Sequence, residues 1–179
     1  ELWTSDGTFA GTRRVVDLCP GPCSGQIFDL TAAGSEVVFR GDDSVSGLEP
    51  WRSDGTAAGT SILGDLCAGH CSSAASGDVG AVFLPLQGAL FVWSKVEPTC
   101  WELWVSDSGL RTSPLPRLCA EHPTYPPLLV ELDGTLYFGY TGGLWKVGFS
   151  PLRVEPAVPL PGFPSSLVRM GSQLFFVVY

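Results

Sequence analysis

A length of 179 residues, 45% of them apolar and 11% aromatic, is enough to bury one core and too apolar for a disordered chain. Eighteen acidic against ten basic residues leave a formal charge of −8, so a surface that must displace counterions from nucleic acid has little to be built from. No apolar run approaches the roughly 18 residues of a membrane-spanning helix, the longest strand-like candidate being 174–179, so no membrane insertion is expected.

In chain order, the first residues form an octet, Glu1-Leu-Trp-Thr-Ser-Asp-Gly-Thr8. It returns as Glu49-Pro-Trp-Arg-Ser-Asp-Gly-Thr56 and Glu102-Leu-Trp-Val-Ser-Asp-Ser-Gly109, with a shortened copy at Gly143-Leu-Trp-Lys146. The repeated tryptophans stand at 3, 51, 104 and 145, a spacing at which repetition signals a propeller or a solenoid. Gly11-Thr12 or Gly59-Thr60 follows the first two octets, and a short run after each predicts one more strand, 13–17 or 61–65. Next come Cys19-Pro-Gly-Pro-Cys23 and Cys67-Ala-Gly-His-Cys71; the third repeat keeps Cys119 but has Pro123 in place of its partner, which leaves Cys100 over. Repeat equivalence therefore predicts disulfides Cys19–Cys23, Cys67–Cys71 and Cys100–Cys119, out of the fifteen pairings six cysteines allow. A fully paired set implies an oxidising compartment outside the cytosol.

Upstream of each octet an apolar stretch, a glycine turn and a second strand predict a hairpin. The turns are Ala33-Gly34, Gln87-Gly88, Asp133-Gly134 and Gly171-Ser172. Each unit then supplies four antiparallel strands, and the 22 Gly and 15 Pro read as turn punctuation. The expected fold is an all-β propeller of four blades, 24–66, 79–119, 125–155 and 163–179 plus 1–18, closed by pairing of the N- and C-terminal strands. The alternative is an arc of a larger propeller. Having no initiator Met and starting inside a repeat, the sequence is expected to be a processed chain or a fragment. The proline-rich stretch 151–164 is expected at an edge or docking position.

With the octet, the following Gly-Thr and the Asp-Leu-Cys-x-x-x-Cys pattern in hand, the chain resembles the ELWxxDGT repeat proteins, secreted or surface proteins of bacteria. Residues 1–23 and 49–71 match strongly and 102–119 in part, since Ser108-Gly109 stands where Gly-Thr is expected; 143–147 keep only Leu-Trp. The resemblance implies an extracellular repetitive β protein and supplies no catalytic residues.

Asp6, Asp54 and Asp107 could mark metal loops, but Asp beside Gly is ordinary turn chemistry, and a Ser-Asp-Gly-Thr segment with one carboxylate and two hydroxyls falls short of the six to eight oxygens of a Ca²⁺ site. The repeated tryptophans are expected between blades. Trp93 and Trp101 lie outside the repeat and flank the polar stretch 94–99, which makes them candidate binding residues on a loop; Trp101 could equally cover the Cys100 disulfide. Asp42 and Asp43, in an oxygen-rich segment that occurs once, are weaker candidates. His70 sits inside a cysteine pair at a spacing that suits neither zinc nor haem attachment. No nucleophile-elbow motif occurs, and no carboxylate pair is singled out among Asp42, Asp43, Glu97 and Glu131.

The expected function is a non-catalytic extracellular module, structural or adhesive, that binds a protein partner or itself at the cell surface and needs no cofactor. A glycan-binding propeller is the first alternative, and a small subunit of a larger assembly the second.

Overall fold

The computed structural model describes residues 1–66, 83–86, 89–97, 100–107, 111–114, 118–119, 128–149 and 152–179, and of residues 93–97, 100–101, 107, 111–114, 118–119 and 149 the backbone only. The described residues form antiparallel β-sheets and no helix. The first sheet pairs β1 (Leu2–Thr4) with β2 (Arg13–Val16). The second runs in order through β3 (Phe28–Ala33), β4 (Glu36–Asp42), β5 (Leu48–Ser53) and β6 (Ser61–Ile62). The third contains β7 (Phe83–Leu86), β8 (Ala89–Glu97), β9 (Cys100–Asp107) and β10 (Arg111–Pro114), with β11 (Leu118–Cys119) also on β9. The fourth contains β12 (Val130–Leu132), β13 (Thr135–Tyr140), β14 (Gly143–Phe149) and β15 (Leu152–Pro159). The fifth pairs β16 (Pro164–Met170) with β17 (Gln173–Val178).

All four hairpins expected from the glycine turns are present. Asp133 (φ 49°) and Gly134 (φ 78°) are both left-handed, as a two-residue turn matched to strand twist requires. The octet enters each four-strand unit in one register: Trp51 lies opposite Phe39, Trp104 opposite Val92 and Trp145 opposite Phe138. β15 is an outer strand carrying Pro156 and Pro159, a position where the missing N–H groups cost no ladder bond, in line with the edge expected for 151–164.

Strand alternation sends successive side chains to opposite faces, and the core follows it from sheet to sheet. Phe39 packs back on Leu2 and Val15 of the first sheet and on Leu18 just beyond it, while its neighbour Val38 packs forward on Phe83, Leu90 and Val92 of the third. Phe91 of the third sheet then packs on Leu136, Phe138 and Val147 of the fourth. Gly139 continues the series: a Cβ there would strike the Pro164 backbone carbonyl, so only glycine lets β16 approach β13 this closely. First strands of neighbouring sheets meet, β3 against β7 and β12 against β16.

The terminal strands depart from expectation. β1–β2 and β16–β17 are two separate two-stranded sheets, and no described pairing joins them into a closing blade. The reason lies in packing: each terminal pair is held by the sheet it faces, the first by Phe39 and the fifth by the Gly139 contact, and neither contact brings the two free edges together.

Candidate functional site

The octet was the natural place to look for a site, and its polar groups turn out to bond its own backbone. Glu49 is fully buried and its Oε2 accepts the Leu66 N–H at 3.0 Å. Glu1 does the same seventeen residues downstream, its Oε2 accepting Leu18 N–H at 2.7 Å and its Oε1 accepting Gly25 N–H at 3.2 Å. In both units the carboxylate therefore clamps the Asp-Leu segment that leaves the fourth strand. No functional motif marks these glutamates in the sequence; the signal that could have found them is the constant offset from Glu to Asp-Leu in two repeats.

The Ser-Asp-Gly-Thr turns are also identical. Asp6 Oδ1 accepts both the backbone N–H (2.9 Å) and the hydroxyl (2.7 Å) of Thr8, and Asp54 Oδ1 takes the same two bonds from Thr56. The Thr8 and Thr56 hydroxyl oxygens accept the N–H of Gly11 and Gly59, and a Cβ on either glycine would fall inside the aspartate carboxylate. Ser5 and Ser53 pair with Thr12 and Thr60, each at 2.7 Å. In the third copy, where Ser108-Gly109 replaces Gly-Thr, the buried Ser106 hydroxyl has no partner among the described residues. Every part of the turn is thus explained by hydrogen bonding, as the turn reading expected. Among the described residues no three His, Cys, Asp or Glu side chains group as metal ligands.

The bonds from Thr8 and Thr56 hold the Asp6 and Asp54 carboxyls below their ordinary 3.8. A depressed folded value means the contribution is complete above the ordinary value and disappears as pH falls through the depressed one. The Thr8 and Thr56 amide resonances are accordingly expected to stay constant from neutral pH to about 5 and to move toward random-coil positions only below 3.8. Movement centred at 3.8 or above would contradict these bonds.

The repeated tryptophans differ in burial. Trp51 is half-buried and its Nε1 donates to the Gly41 carbonyl at 3.0 Å; Trp145 is half-buried, donates to the Thr141 carbonyl and meets Tyr140 edge-on. Trp104 is half-buried too, its Nε1 enclosed without a described partner. Trp3 is 60% exposed, against the expectation that every repeated tryptophan lies between sheets, because β1 lacks the second-strand neighbour that the other three have.

Trp93 and Trp101 are strand residues and do not border a loop: β8 continues through Glu97 and β9 begins at Cys100. Trp93 pairs with Leu103 and Trp101 with Lys95, which makes the two diagonal neighbours in the β8–β9 register; their side chains lie outside the described residues. Asp42 ends β4, and its Oδ1 accepts the Ser44 N–H. Burial raises the Asp43 pKa, but bonds from the Ser46 and Val45 N–H groups outweigh this and hold it below the ordinary value, so both aspartates close the turn to β5. The backbone of Trp93 and Trp101 belongs to the third sheet, whereas Asp42 ends a strand of the second and Asp43 lies in the turn after it.

What the structure does add is a groove of 380 Å³ along the free edge of β1. Its walls are Leu2 and Trp3 on one side and Leu30, Ala32 and Val37 on the β3–β4 face that the short first sheet leaves uncovered, with Glu36 and Asp54 at the rim.

Cys19 and Cys23 form the expected disulfide. The Cys67–Cys71 pair lies outside the described residues, as do His70 and His122. The backbone register sets Cys119 directly opposite Cys100. Non-reducing peptide mapping is expected to link Cys100 with Cys119 and Cys67 with Cys71; free thiols, or a bond between repeats, would contradict the repeat equivalence.

No protein-family model, curated protein or solved structure matches the chain.

Proposed function

We propose that this chain is a non-catalytic β-propeller scaffold that works outside the cytosol as a structural or adhesive protein-interaction module. The second, third and fourth sheets are its complete blades; the first and fifth are complementary halves of another, supplying third and fourth strands and first and second strands respectively. The observation that carries this reading is the identical bonding of the first two octets, in which Glu, Ser, Asp and Thr are occupied in building the frame and leave no repeated polar group for chemistry. Shared register, forward and backward packing through alternating side chains, and contact between first strands all support blades arranged about an axis. The octets' likeness to ELWxxDGT repeats and the Cys19–Cys23 disulfide support an extracellular place of work.

Analytical ultracentrifugation with and without cell-envelope fractions tests the reading. Saturable association, with itself or with envelope material, at unchanged circular dichroism is expected; a chain that stays monomeric and sediments free of every fraction would overturn it.

One observation favours a second reading. The exposed Trp3 indole offers a face on which a sugar ring can stack, and Glu36 lines the same groove. Glycan-array binding that disappears in Trp3→Ala would establish it, and an array without hits would remove it.

A further inference from the structure

We propose that Cys23 is a thiol-exchange site, at which a small monothiol of the glutathione class opens the Cys19–Cys23 disulfide reversibly while the surrounding fold stays in place. The inference rests on which cysteine solvent can reach and on what holds the loop that the disulfide spans.

The two halves of this disulfide stand in different surroundings. Cys19 is 2% exposed and follows Leu18, which packs in the core with Leu2, Val15 and Phe39. Cys23 and the tip residues Pro20, Gly21 and Pro22 are all exposed. A thiolate attacks a disulfide in line with the S–S bond, arriving at one sulfur from the side away from the other, so access decides which sulfur reacts. Entry is open at the exposed Cys23, whereas an approach to Cys19 has to cross packed protein.

The loop itself is held by other bonds. Glu1 Oε2 accepts the N–H of Leu18, the residue before Cys19, and Glu1 Oε1 accepts the N–H of Gly25, two residues after Cys23. One carboxylate thus pins both ends of the segment 19–24. Gly25 is buried, and its carbonyl accepts the Asp42 N–H at 2.9 Å, which ties the same end to β4. The clamp belongs to the octet: Glu49 holds Leu66, the residue before Cys67, in the same way. The Cys19–Cys23 bond therefore bridges a loop whose ends are already fixed, and opening it frees the tip alone. Exposed disulfides are the labile ones, in contrast to the structural disulfides of secreted proteins, which resist reduction.

The step balances as an exchange. A thiolate RS⁻ attacks Cys23 Sγ, a bond forms between the thiol sulfur and Cys23 Sγ, the Cys19–Cys23 bond breaks, and its electron pair leaves on Cys19 Sγ, which takes up a proton. The Glu1 clamp keeps the two cysteines side by side in the opened loop. Cys19, deprotonated again, attacks Cys23 Sγ, expels RS⁻ and restores the disulfide, so the modification is reversible.

The test has two arms. In the first, the native chain is incubated with reduced glutathione, quenched in acid, unfolded, alkylated and mapped by tandem mass spectrometry. Glutathione on Cys23 with an alkyl group on Cys19 is the expected result. Glutathione on Cys19 would overturn the one-sided access, and a bond that stays closed in the native chain at a glutathione concentration that opens it in urea would overturn the site. The second arm reads amide hydrogen exchange in the double variant Cys19→Ala with Cys23→Ala. Protection of Leu18 and Gly25 within about twofold of the parent is expected, and adding Glu1→Ala is expected to speed exchange at both amides by about tenfold or more. Exchange at free-loop rates in the double variant alone would show that the disulfide holds the loop, and would overturn the proposal.

Discussion

Glu49→Ala is expected to lower the stability of the fold by about 3 kcal/mol, the largest effect of any polar substitution proposed for the octets. Glu49 is fully buried, and its carboxylate accepts the Leu66 N–H, a donor in a segment that belongs to no strand. Removing the acceptor loses a charge-assisted bond of about 1.5–3 kcal/mol and leaves the part-buried Leu66 N–H without its partner, at a further cost of about 1–3 kcal/mol where no water replaces the carboxylate. The whole stability of a domain of this size is about 5–15 kcal/mol, so the loss moves the unfolding midpoint far. Glu49→Gln keeps an acceptor oxygen and is expected to cost about half as much. Urea titration reads both, as a fall in midpoint at constant slope. An alanine variant within 0.5 kcal/mol of the parent, by that titration, would show that the clamp contributes nothing.

Phe39→Ala has an effect of similar size from an apolar source. The ring is completely enclosed and holds Leu2 and Val15 of the two-stranded first sheet, with Leu18 just beyond it, against the second. Truncating a buried phenylalanine costs about 3–5 kcal/mol, part from lost transfer and part from the cavity left behind. Because a two-stranded sheet is marginal alone, the damage is expected to concentrate in residues 1–18. Limited trypsin digestion at Arg13 and Arg14 should become fast in this variant before the rest of the chain is cut. Phe9 is the control: it is fully exposed, and Phe9→Ala should leave stability within about 0.5 kcal/mol of the parent. Equal digestion of the Phe39 and Phe9 variants would contradict the role given to Phe39.

Local signals carried most of the architecture. Asp133-Gly134 and Gly34 placed their hairpins because positive φ is a property of those residues at those positions. The Ser-Asp-Gly-Thr turns were legible for the same reason, and the Asp6 and Asp54 bonds follow from side chains that bond backbone two residues away. What failed was whatever depended on a distant neighbour. Trp3 has the same sequence surroundings as Trp51, yet one is exposed and the other donates to Gly41, because the difference lies in whether a second strand stands alongside. The polar stretch after Trp93 read as a loop, while pairing with β9 keeps it in a strand through Glu97, and cross-strand pairing is invisible to a local pattern. The sequence predicts complementary strands at the two ends, and the structure shows each end as a separate two-stranded sheet. Whether one chain's ends meet depends on the angle between successive sheets, which side-chain packing sets and repetition does not encode.

The groove illustrates the same division. Its wall residues, Leu2 and Trp3 from one repeat and Leu30, Ala32 and Val37 from the next hairpin, carry no common motif, and only the difference in width between the first and second sheets exposes them. Trp93 and Asp42 stand out in the sequence as unusual residues, whereas the groove is lined by ordinary apolar residues that do not. That the repeated residues build the frame is the claim on which both proposals depend.

Amide hydrogen exchange at Leu66 and Leu18 tests that claim most directly. Both N–H groups lie outside every strand, and exchange at such positions is fast unless something other than a sheet protects them. With the Glu49 and Glu1 carboxylates accepting these bonds, the expected result is protection at Leu66 approaching that of the β4 core amides and measurable protection at Leu18, the first lost selectively in Glu49→Ala. Exchange of both amides at free-loop rates in the parent chain would contradict it, and would return the octet's glutamates to the search for a site.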